Sequence, residues 1–477
     1  MKGESMRPLF YFLIFLGLFL TASPWTAGAA DMSFGGEFRA RYFYDDNLTD
    51  AHSGGKTCRG PDGVPGTTDD TCKDGESFAD ARFRLKIMAT QDIMTGVVIV
   101  DFFNGPNGQD AATLNAASTA AATGNRILGS DGFGQSLDTV RLREGYLRVS
   151  WPAAHLVIGR QAVTLGHSLI LDDTADAVTV AIPMGWASLT LMDMFLVNTA
   201  SGTSSTSAYL ADLNVDPTAA FKSSLFMMVL KDRGPNLSFN QSAFFAPCGF
   251  GTPSNCPLTD FGTNQATLAT VGLALDQQLT AFRWAAELDY LTGSITTHDP
   301  TVQNPSAKKI SMQGMNALGQ FGWTGNRYDS LVTALYATGQ KAGNLPPGGE
   351  KLNINSVSPN FVLGDILVNN DSTSDRDGGN VGGLTAAKLA LGWKPTALFR
   401  AELAAIWARL SEAPANNAPR NLGQEIDLNA SWQLEPRLLL TGGAGILFPG
   451  QGWRTLFVDP QANDNMIKIS TKLTYTF

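Results

Sequence analysis

Apolar and polar residues alternate with a period of two along most of the chain, and the pattern continues to the last residue. In the final segment, Met466 to Phe477, apolar side chains at positions 467, 469, 473, 475 and 477 are separated by polar ones that include Lys468 and Lys472. Alternate residues of a strand face opposite sides of a sheet. One apolar face and one charged face are typical of a wall between lipid and water.

The N-terminal segment has a different pattern. Lys2 and Arg7 precede an apolar run from Leu9 to Leu20, and small residues follow up to Ala30. This order indicates a secretory signal peptide over 1–30, with the mature chain over 31–477. No second run of roughly 18 apolar residues occurs, which excludes an inner-membrane helical protein.

Long polar stretches alternate with short turns along the mature chain. Short turns are expected at Gln91 to Gly96 and near Pro152, Pro183, Arg233, Asp276, Thr324, Pro395 and Glu435. The spacing predicts an all-β fold, a transmembrane antiparallel β-barrel of about 18 strands with long external loops and periplasmic termini. Closure is required because each unpaired backbone group in hydrocarbon costs several kcal/mol, and a barrel of this size retains an aqueous channel.

Tryptophans lie close to the predicted short turns, where an aromatic belt would meet the periplasmic lipid interface. They are Trp151, Trp186, Trp323, Trp393 and Trp432.

Strand alternation also predicts which charged side chains line the lumen. The inward basic residues of the first third are Arg39, Arg41, Arg82, Arg84, Lys86, Arg141, Arg143 and Arg160, set against Glu37, Asp80 and Asp101. Further inward carboxylates are Glu144, Glu287, Asp289, Glu402, Glu425 and Asp427. Guanidinium groups bind carboxylates and phosphates and stay charged, so this basic stripe favours anions. The alternative is that these arginines pair with the carboxylates and stiffen the barrel.

The overall charge points away from nucleic acid as a partner. The formal net charge is −9, and removing Lys2, Glu4 and Arg7 with the signal segment gives −10. Expected partners are outer-membrane lipid, an anionic solute and, through the aromatic terminus Phe477, the barrel-assembly machinery.

The four cysteines fall into two close pairs, Cys58 with Cys72 and Cys248 with Cys256, within Gly/Pro-rich polar stretches. An even count in an exported chain indicates disulfides, and each would close a short surface loop. Asp62, Asp69 and Asp70 inside the first loop could supply oxygen ligands to Ca²⁺, although an ordinary solvated loop fits the same residues. No other cofactor is expected.

The stretch from Gln340 to Gly378 is long for a connection and includes the apolar run from Asn360 to Val368. Long loops of this kind are usually functional. Folding into the pore as a constriction would bury the apolar run, and external shielding is the alternative.

Several motifs resemble those of a known family. They are Leu142-Arg-Glu-Gly-Tyr-Leu-Arg-Val, Leu156-Val-Ile-Gly-Arg-Gln161, Gly166 with Asp172-Asp173 and Asp176, Gly423-Gln-Glu-Ile-Asp-Leu428 with Trp432, and Gly443 to Gly450. They resemble the alginate-export family of outer-membrane porins across most of the mature chain. The resemblance implies an outer-membrane channel for a polyanionic or small anionic solute without fixing alginate itself.

Two other classes of function have some basis in the sequence. His167-Ser168 with Asp172-Asp173 looks superficially like a hydrolase set, but adjacent residues of a strand point to opposite faces, so no enzyme is expected. A structural barrel that sheathes a periplasmic electron-transfer or secretion partner remains the alternative to a porin.

Overall fold

The computed structural model describes residues 30–46, 75–104, 140–198, 205–234, 264–297, 308–339, 351–353, 361–368, 383–413, 419–453 and 465–477. The predicted signal peptide, all four cysteines and Asp62, Asp69 and Asp70 lie outside these ranges, apart from Ala30. Their assignments therefore stay predictions.

The described residues form nineteen strands. In chain order they are β1 (Asp31–Asp46), β2 (Gly75–Gln91), β3 (Met94–Asn104), β4 (Val140–Trp151), β5 (Ala154–Thr164), β6 (Asp172–Pro183), β7 (Ala187–Asn198), β8 (Ser205–Thr218), β9 (Phe221–Gly234) and β10 (Asn264–Gln278). They continue as β11 (Phe282–Thr297), β12 (Lys308–Thr324), β13 (Tyr328–Ala337), β14 (Lys351–Asn353), β15 (Leu384–Thr396), β16 (Phe399–Leu410), β17 (Asn421–Glu435), β18 (Leu438–Pro449) and β19 (Met466–Thr476). Residues 451–453 add one helical turn, and no helix in the described ranges is long and apolar enough to cross a bilayer.

Eighteen of these strands close into an antiparallel barrel. Strand β1 pairs with β19 from Glu37 opposite Thr476 to Asp46 opposite Ile467, so the first and last strands seal the sheet. Strand β14 adds only a three-residue parallel pairing to β12, and β13 pairs directly with β15. The predicted barrel of about 18 strands is confirmed. Because the sheet is closed, it has no edge whose unpaired backbone groups would face lipid.

The outer face of the barrel is apolar, as the period of two predicts. Phe34 is 64% exposed, whereas Arg41 on the opposite face of β1 is 4% exposed. Four of the five predicted belt tryptophans are exposed large side chains near short turns, namely Trp186, Trp323, Trp393 and Trp432. An apolar surface of this kind is stable against hydrocarbon rather than water.

The short turns fall where the sequence predicts them, with one exception. The prediction of a short turn near Arg233 is wrong, because Arg233 lies at the end of β9 that leads into a long connection. The short turn between β8 and β9 is Ala219–Ala220. The sequence around 233 contains Gly and Pro, which are typical of turns. The short turn at Ala219–Ala220 has a signal of its own, Asp216-Pro217, which the prediction did not use. Elsewhere in the described ranges, short turns join the strands at one end of the barrel and longer connections join them at the other end.

The C-terminus is fixed to the first strand by both backbone and side chain. Gly36 and Phe477 exchange backbone hydrogen bonds of 3.1 and 3.2 Å, and the Phe477 ring stacks on Phe83 with centroids 5.7 Å apart. A Cβ on Gly36 would lie 2.6 Å from the Phe477 ring, so this position has room only for glycine.

Candidate functional site

A connecting segment, residues 361–368, lies inside the barrel and is bound to the wall through carboxylates. Glu425 on β17 accepts hydrogen bonds from the backbone N–H of Ile366 at 2.7 Å and of Leu367 at 2.5 Å. Asp427 accepts one from the backbone N–H of Asp365 at 3.2 Å. Both carboxylates face the lumen, since the intervening Ile426 is exposed on the outer face. This part of the long connection is therefore internal, as the constriction hypothesis predicts.

Two lysines complete the attachment of this inward segment. Lys388 on β15 donates to the carbonyl of Leu363 at 2.8 Å, and Lys468 on β19 donates to the carbonyl of Asp365 at 3.0 Å. Leu363, Ile366, Leu367 and Val368 are at most 4% exposed and pack in an apolar cluster with inner residues of β13 to β19. Buried backbone groups need such partners, because an unpaired one costs about 1–3 kcal/mol.

Small residues let the inward segment approach the wall. A Cβ on Gly364 would lie 2.6 Å from Glu425 Oε2, and a Cβ on Gly445 would lie 2.8 Å from Asp427 Oδ1. A Cβ on Gly443 would also come within 3.3 Å of Asp365 Oδ2. Glycine in the Gly443-Ala-Gly445 motif thus provides space for the segment rather than flexibility.

A second connection, residues 165–171 between β5 and β6, also packs inward. His167 places Nδ1 2.9 Å from Glu287 Oε2 and Nε2 3.0 Å from Asp276 Oδ2, and its backbone N–H donates to Glu287. Gly166 has φ +53°, and a Cβ there would meet the Glu287 carboxylate at 2.4 Å, which explains the glycine of the 166–176 motif. Leu169 is fully buried in the same apolar cluster as the inward segment.

The surroundings of this histidine favour its charged form. The hydrogen bond to Glu287 raises the pKa of His167 above its usual value, burial opposes the shift, and the nearby charge of Asp276 adds to it. The prediction that His167 and Ser168 lie on a strand is wrong. Both residues lie in the connection between β5 and β6, where Ser168 has φ 70°.

A cavity of about 290 Å³ opens on the short-turn side of the inward segment. Its charged lining consists of Arg41, Arg400, Lys472 and Asp365, and Asn429, Ser431, Thr441 and Ser470 contribute neutral polar groups. The cavity lies along the seam where β1 meets β19, next to β16–β18. The inner faces of β6–β12 instead carry a buried apolar cluster. The open part of the described lumen is therefore displaced toward the charged wall.

Three arginines of the predicted basic stripe pair with acids on the inner face of the barrel. Arg41 Nη2 lies 2.5 Å from Asp80, Arg82 Nη2 lies 2.5 Å from Glu37, and Arg84 Nε lies 2.5 Å from Asp101. These are cross-strand pairs of β1 with β2 and of β2 with β3. The charge-assisted pairs stiffen the wall, as one of the two predictions for the stripe has it. Arg41 also lines the cavity, where the other prediction expects a basic residue that attracts anions.

The remaining stripe residues are distributed along the same wall. Arg160 is 5% exposed, lies 3.7 Å from Asp176 and donates to Thr174 at 3.2 Å. A bulge opposite Ile99 and Val100 lets the neighbours Arg143 and Glu144 both act on lumen charges, Asp101 and Arg84 respectively. Strict alternation cannot place two adjacent residues on one face, and a bulge can. Arg39, Lys86 and Arg141 occupy the predicted strand positions.

Of the further inward carboxylates, several have roles other than pairing with the stripe. Glu425 and Asp427 bind the inward segment, and Glu287 binds His167. Glu402 accepts from Arg400 at 2.6 Å, and Asp289 is fully buried on β11.

Four basic residues of the site were not singled out as pore-lining by the sequence argument: Lys388, Arg400, Lys468 and Lys472. The two on β19 were visible in the terminal alternation as polar positions, and the same parity applied to β15 and β16 would have found the others. Asp365 gives no such signal, because its inward position depends on how a long connection folds.

The fold matches solved outer-membrane channels at low sequence identity. OccK8 (OprE) of Pseudomonas aeruginosa superposes with a TM-score of 0.51 at 8% identity, over 94% of this chain and 98% of that one. A BenF-like porin from Pseudomonas fluorescens Pf-5 gives 0.51 at 9% identity, over 94% and 98%. The outer membrane protein opdK of Pseudomonas aeruginosa gives 0.50 at 11% identity, over 94% and 100%.

The sequence comparisons add no family. No family model matches the chain. No curated protein matches it either. At these identities the structural likeness shows the barrel fold that porins share, and it does not single out the alginate-export family.

Proposed function

We propose that this protein is an outer-membrane channel for the passive diffusion of small anionic solutes. The observation that carries the proposal is the cavity lined by Arg41, Arg400 and Lys472. Arg41 and Arg400 are balanced by ion pairs with Asp80, Asp329 and Glu402. Among the described residues, Lys472 has no carboxylate within ion-pairing distance. Its charge therefore adds to the potential that a passing ion meets.

The geometry suits transient binding rather than capture. Arg400 is fixed between Asp329 at 2.9 Å and Glu402 at 2.6 Å, yet its side chain stays 38% exposed. A guanidinium in this position can offer a donor to a solute carboxylate or phosphate without losing its own partners. Conduction requires sites that attract an ion and still release it. A guanidinium whose charge is partly offset by neighbouring carboxylates meets that requirement.

Solute size is limited by the two inward connections. Residues 165–171 and 361–368 contact the same apolar cluster from opposite sides of the described barrel. They fill space that a barrel of eighteen strands would otherwise leave to water. Small organic or inorganic anions fit this lumen more readily than a polyuronate chain, although the family resemblance implies polyanionic as well as small anionic solutes. The occupied lumen also disfavours a sheath around a protein partner.

The proposal is tested by ion selectivity of the purified protein in planar bilayers. The reversal potential under a salt gradient should show anion preference, and Lys472→Gln should reduce it while the unit conductance changes less. The matched control is Lys222→Gln, which removes an inner-face lysine on β9 that does not line the cavity. Equal effects of the two substitutions, or no anion preference in the unaltered protein, would overturn the proposal.

A further inference from the structure

We propose that Asp365 is a specificity-determining residue that sets the charge balance of the lumen cavity and makes its anion preference depend on pH. This inference rests on the proposed function. Asp365 supplies the one carboxylate among the described residues that line the cavity, where it faces three cations. Its ionisation therefore decides whether a diffusing anion meets a repulsive charge in this cavity.

The backbone of Asp365 is fixed independently of its side chain. Its N–H donates to Asp427 at 3.2 Å, and its carbonyl accepts from Lys468 Nζ at 3.0 Å. Neighbouring residues Ile366 and Leu367 donate to Glu425. A change confined to the carboxylate should thus leave the segment in place, so its electrical effect can be measured separately from its structural one.

The charged groups around Asp365 come from every strand that packs against it. Asp427 and Glu425 face it from β17, Lys468 and Lys472 from β19, and Lys388 from β15. On the cavity side lie Arg41 of β1 and Arg400 of β16, the latter bound to Glu402. Burial raises the pKa of Asp365 to about 6, the charge of Asp427 adds to the rise, and Lys468 opposes it.

The direction of the pH effect follows from this pKa. Above about pH 7 the carboxylate is ionised and offsets one of the cavity cations, and near pH 5 it is mostly protonated, so the cavity becomes more positive. By Coulomb's law, one unit charge about 8 Å away in water changes the local concentration of a monovalent ion by about two-fold. Anions and cations respond in opposite directions, so the permeability ratio should change by the square of that factor, about four- to six-fold.

The experiment measures the anion-to-cation permeability ratio from reversal potentials at low salt, where the screening length is about 30 Å. In the unaltered protein the ratio should rise about five-fold between pH 7.5 and pH 5. Asp365→Asn should show the high ratio at both values. Asp365→Glu, which keeps a carboxylate at this position, should retain the pH dependence that Asp365→Asn loses. The matched control Asp212→Asn, an inner-face carboxylate of β8 bound to Ser224, should keep the dependence of the unaltered protein.

Several outcomes overturn the inference while leaving the proposed function standing. One is anion preference that falls with Lys472→Gln but is unchanged by Asp365→Asn at pH 7.5. Another is a pH dependence that survives in Asp365→Asn, which would assign the titration to a different group. Absence of anion preference in the unaltered protein at either pH would instead count against the channel proposal itself.

Discussion

Glu425 on the barrel wall accepts a hydrogen bond of 2.7 Å from the backbone N–H of Ile366, a residue of the long connection between β13 and β15. This contact joins residues 59 positions apart and fixes the inward segment against β17. Because the inward segment occupies part of the lumen, the contact links a single wall carboxylate to the width of the proposed channel.

Replacing Glu425 by Gln should loosen the inward segment without unfolding the barrel. The amide offers one acceptor and directs its NH₂ group at a backbone N–H, so one donor loses its partner at a cost of about 1–3 kcal/mol. Single-channel recordings should show larger and noisier unit conductance. The control is Glu144→Gln, a change at a carboxylate of β4 that does not bind the inward segment, and it should leave the unit conductance unchanged. A Glu425→Gln channel with ordinary conductance and no added noise would contradict the role of the contact.

The attachment of residues 165–171 should weaken as pH rises. The pKa of His167 is raised in the folded state, so its stabilising contribution is fully present below about pH 6.5, the value for an unperturbed histidine. It is lost as pH rises through the higher folded value. Hydrogen exchange of 165–171, corrected for intrinsic rates, should show less protection at pH 8.5 than at pH 6. His167→Gln should abolish this difference, and a difference that persists in the variant would refute the assignment.

The Arg84–Asp101 pair allows the stiffening and selectivity roles of the stripe to be separated. Arg84→Gln leaves Asp101, which is 2% exposed, without its hydrogen-bonded cation, and removing one partner of a buried pair costs about 3–5 kcal/mol. Anion preference should also fall. The double variant Arg84→Gln with Asp101→Asn keeps the local net charge, so its reversal potential should match the unaltered protein. A double variant that stays shifted would show that Arg84 acts on solutes directly.

The orientation of the barrel can be checked with protease on intact cells. Long connections should be external, so cleavage is expected within Asp45 to Glu76 or within Gln340 to Gly378 outside the inward segment. The short turn at residues 325–327 should be protected. Cleavage at that turn in sealed cells would invert the orientation.

The sequence predicted the barrel because strand parity is a local property. Arg82 and Arg84 alternate with Phe83 in the sequence, and the structure places the arginines inward and Phe83 on the outer face. The same rule fails where geometry departs from strict alternation, as at Arg143 and Glu144, where a bulge puts both beside lumen charges. Turn residues also misled the prediction, because Gly234 and Pro235 lie where a long connection begins, whereas the short turn at Ala219–Ala220 follows Asp216-Pro217.

The candidate site was harder to predict because its parts meet only after closure. Asp365 reaches Asp427, 62 positions away, and Lys468, 103 positions away, through its own backbone groups. Parity on β17 indicated that Glu425 and Asp427 face the lumen, but it gave no indication that they bind another segment rather than arginines. That pairing depends on the path of the long connection and on the space left by Gly364 and Gly445.

The proposed anion preference can be measured as the reversal potential of the unaltered protein in a planar bilayer, under a potassium chloride gradient at low ionic strength and neutral pH. The two ions have similar mobility in water, so a sign that favours chloride reports the charge of the lumen. We expect an anion preference that weakens as the salt concentration rises, because salt screens the charges of Lys472 and its neighbours. A reversal potential at zero, or one that favours potassium, would contradict it.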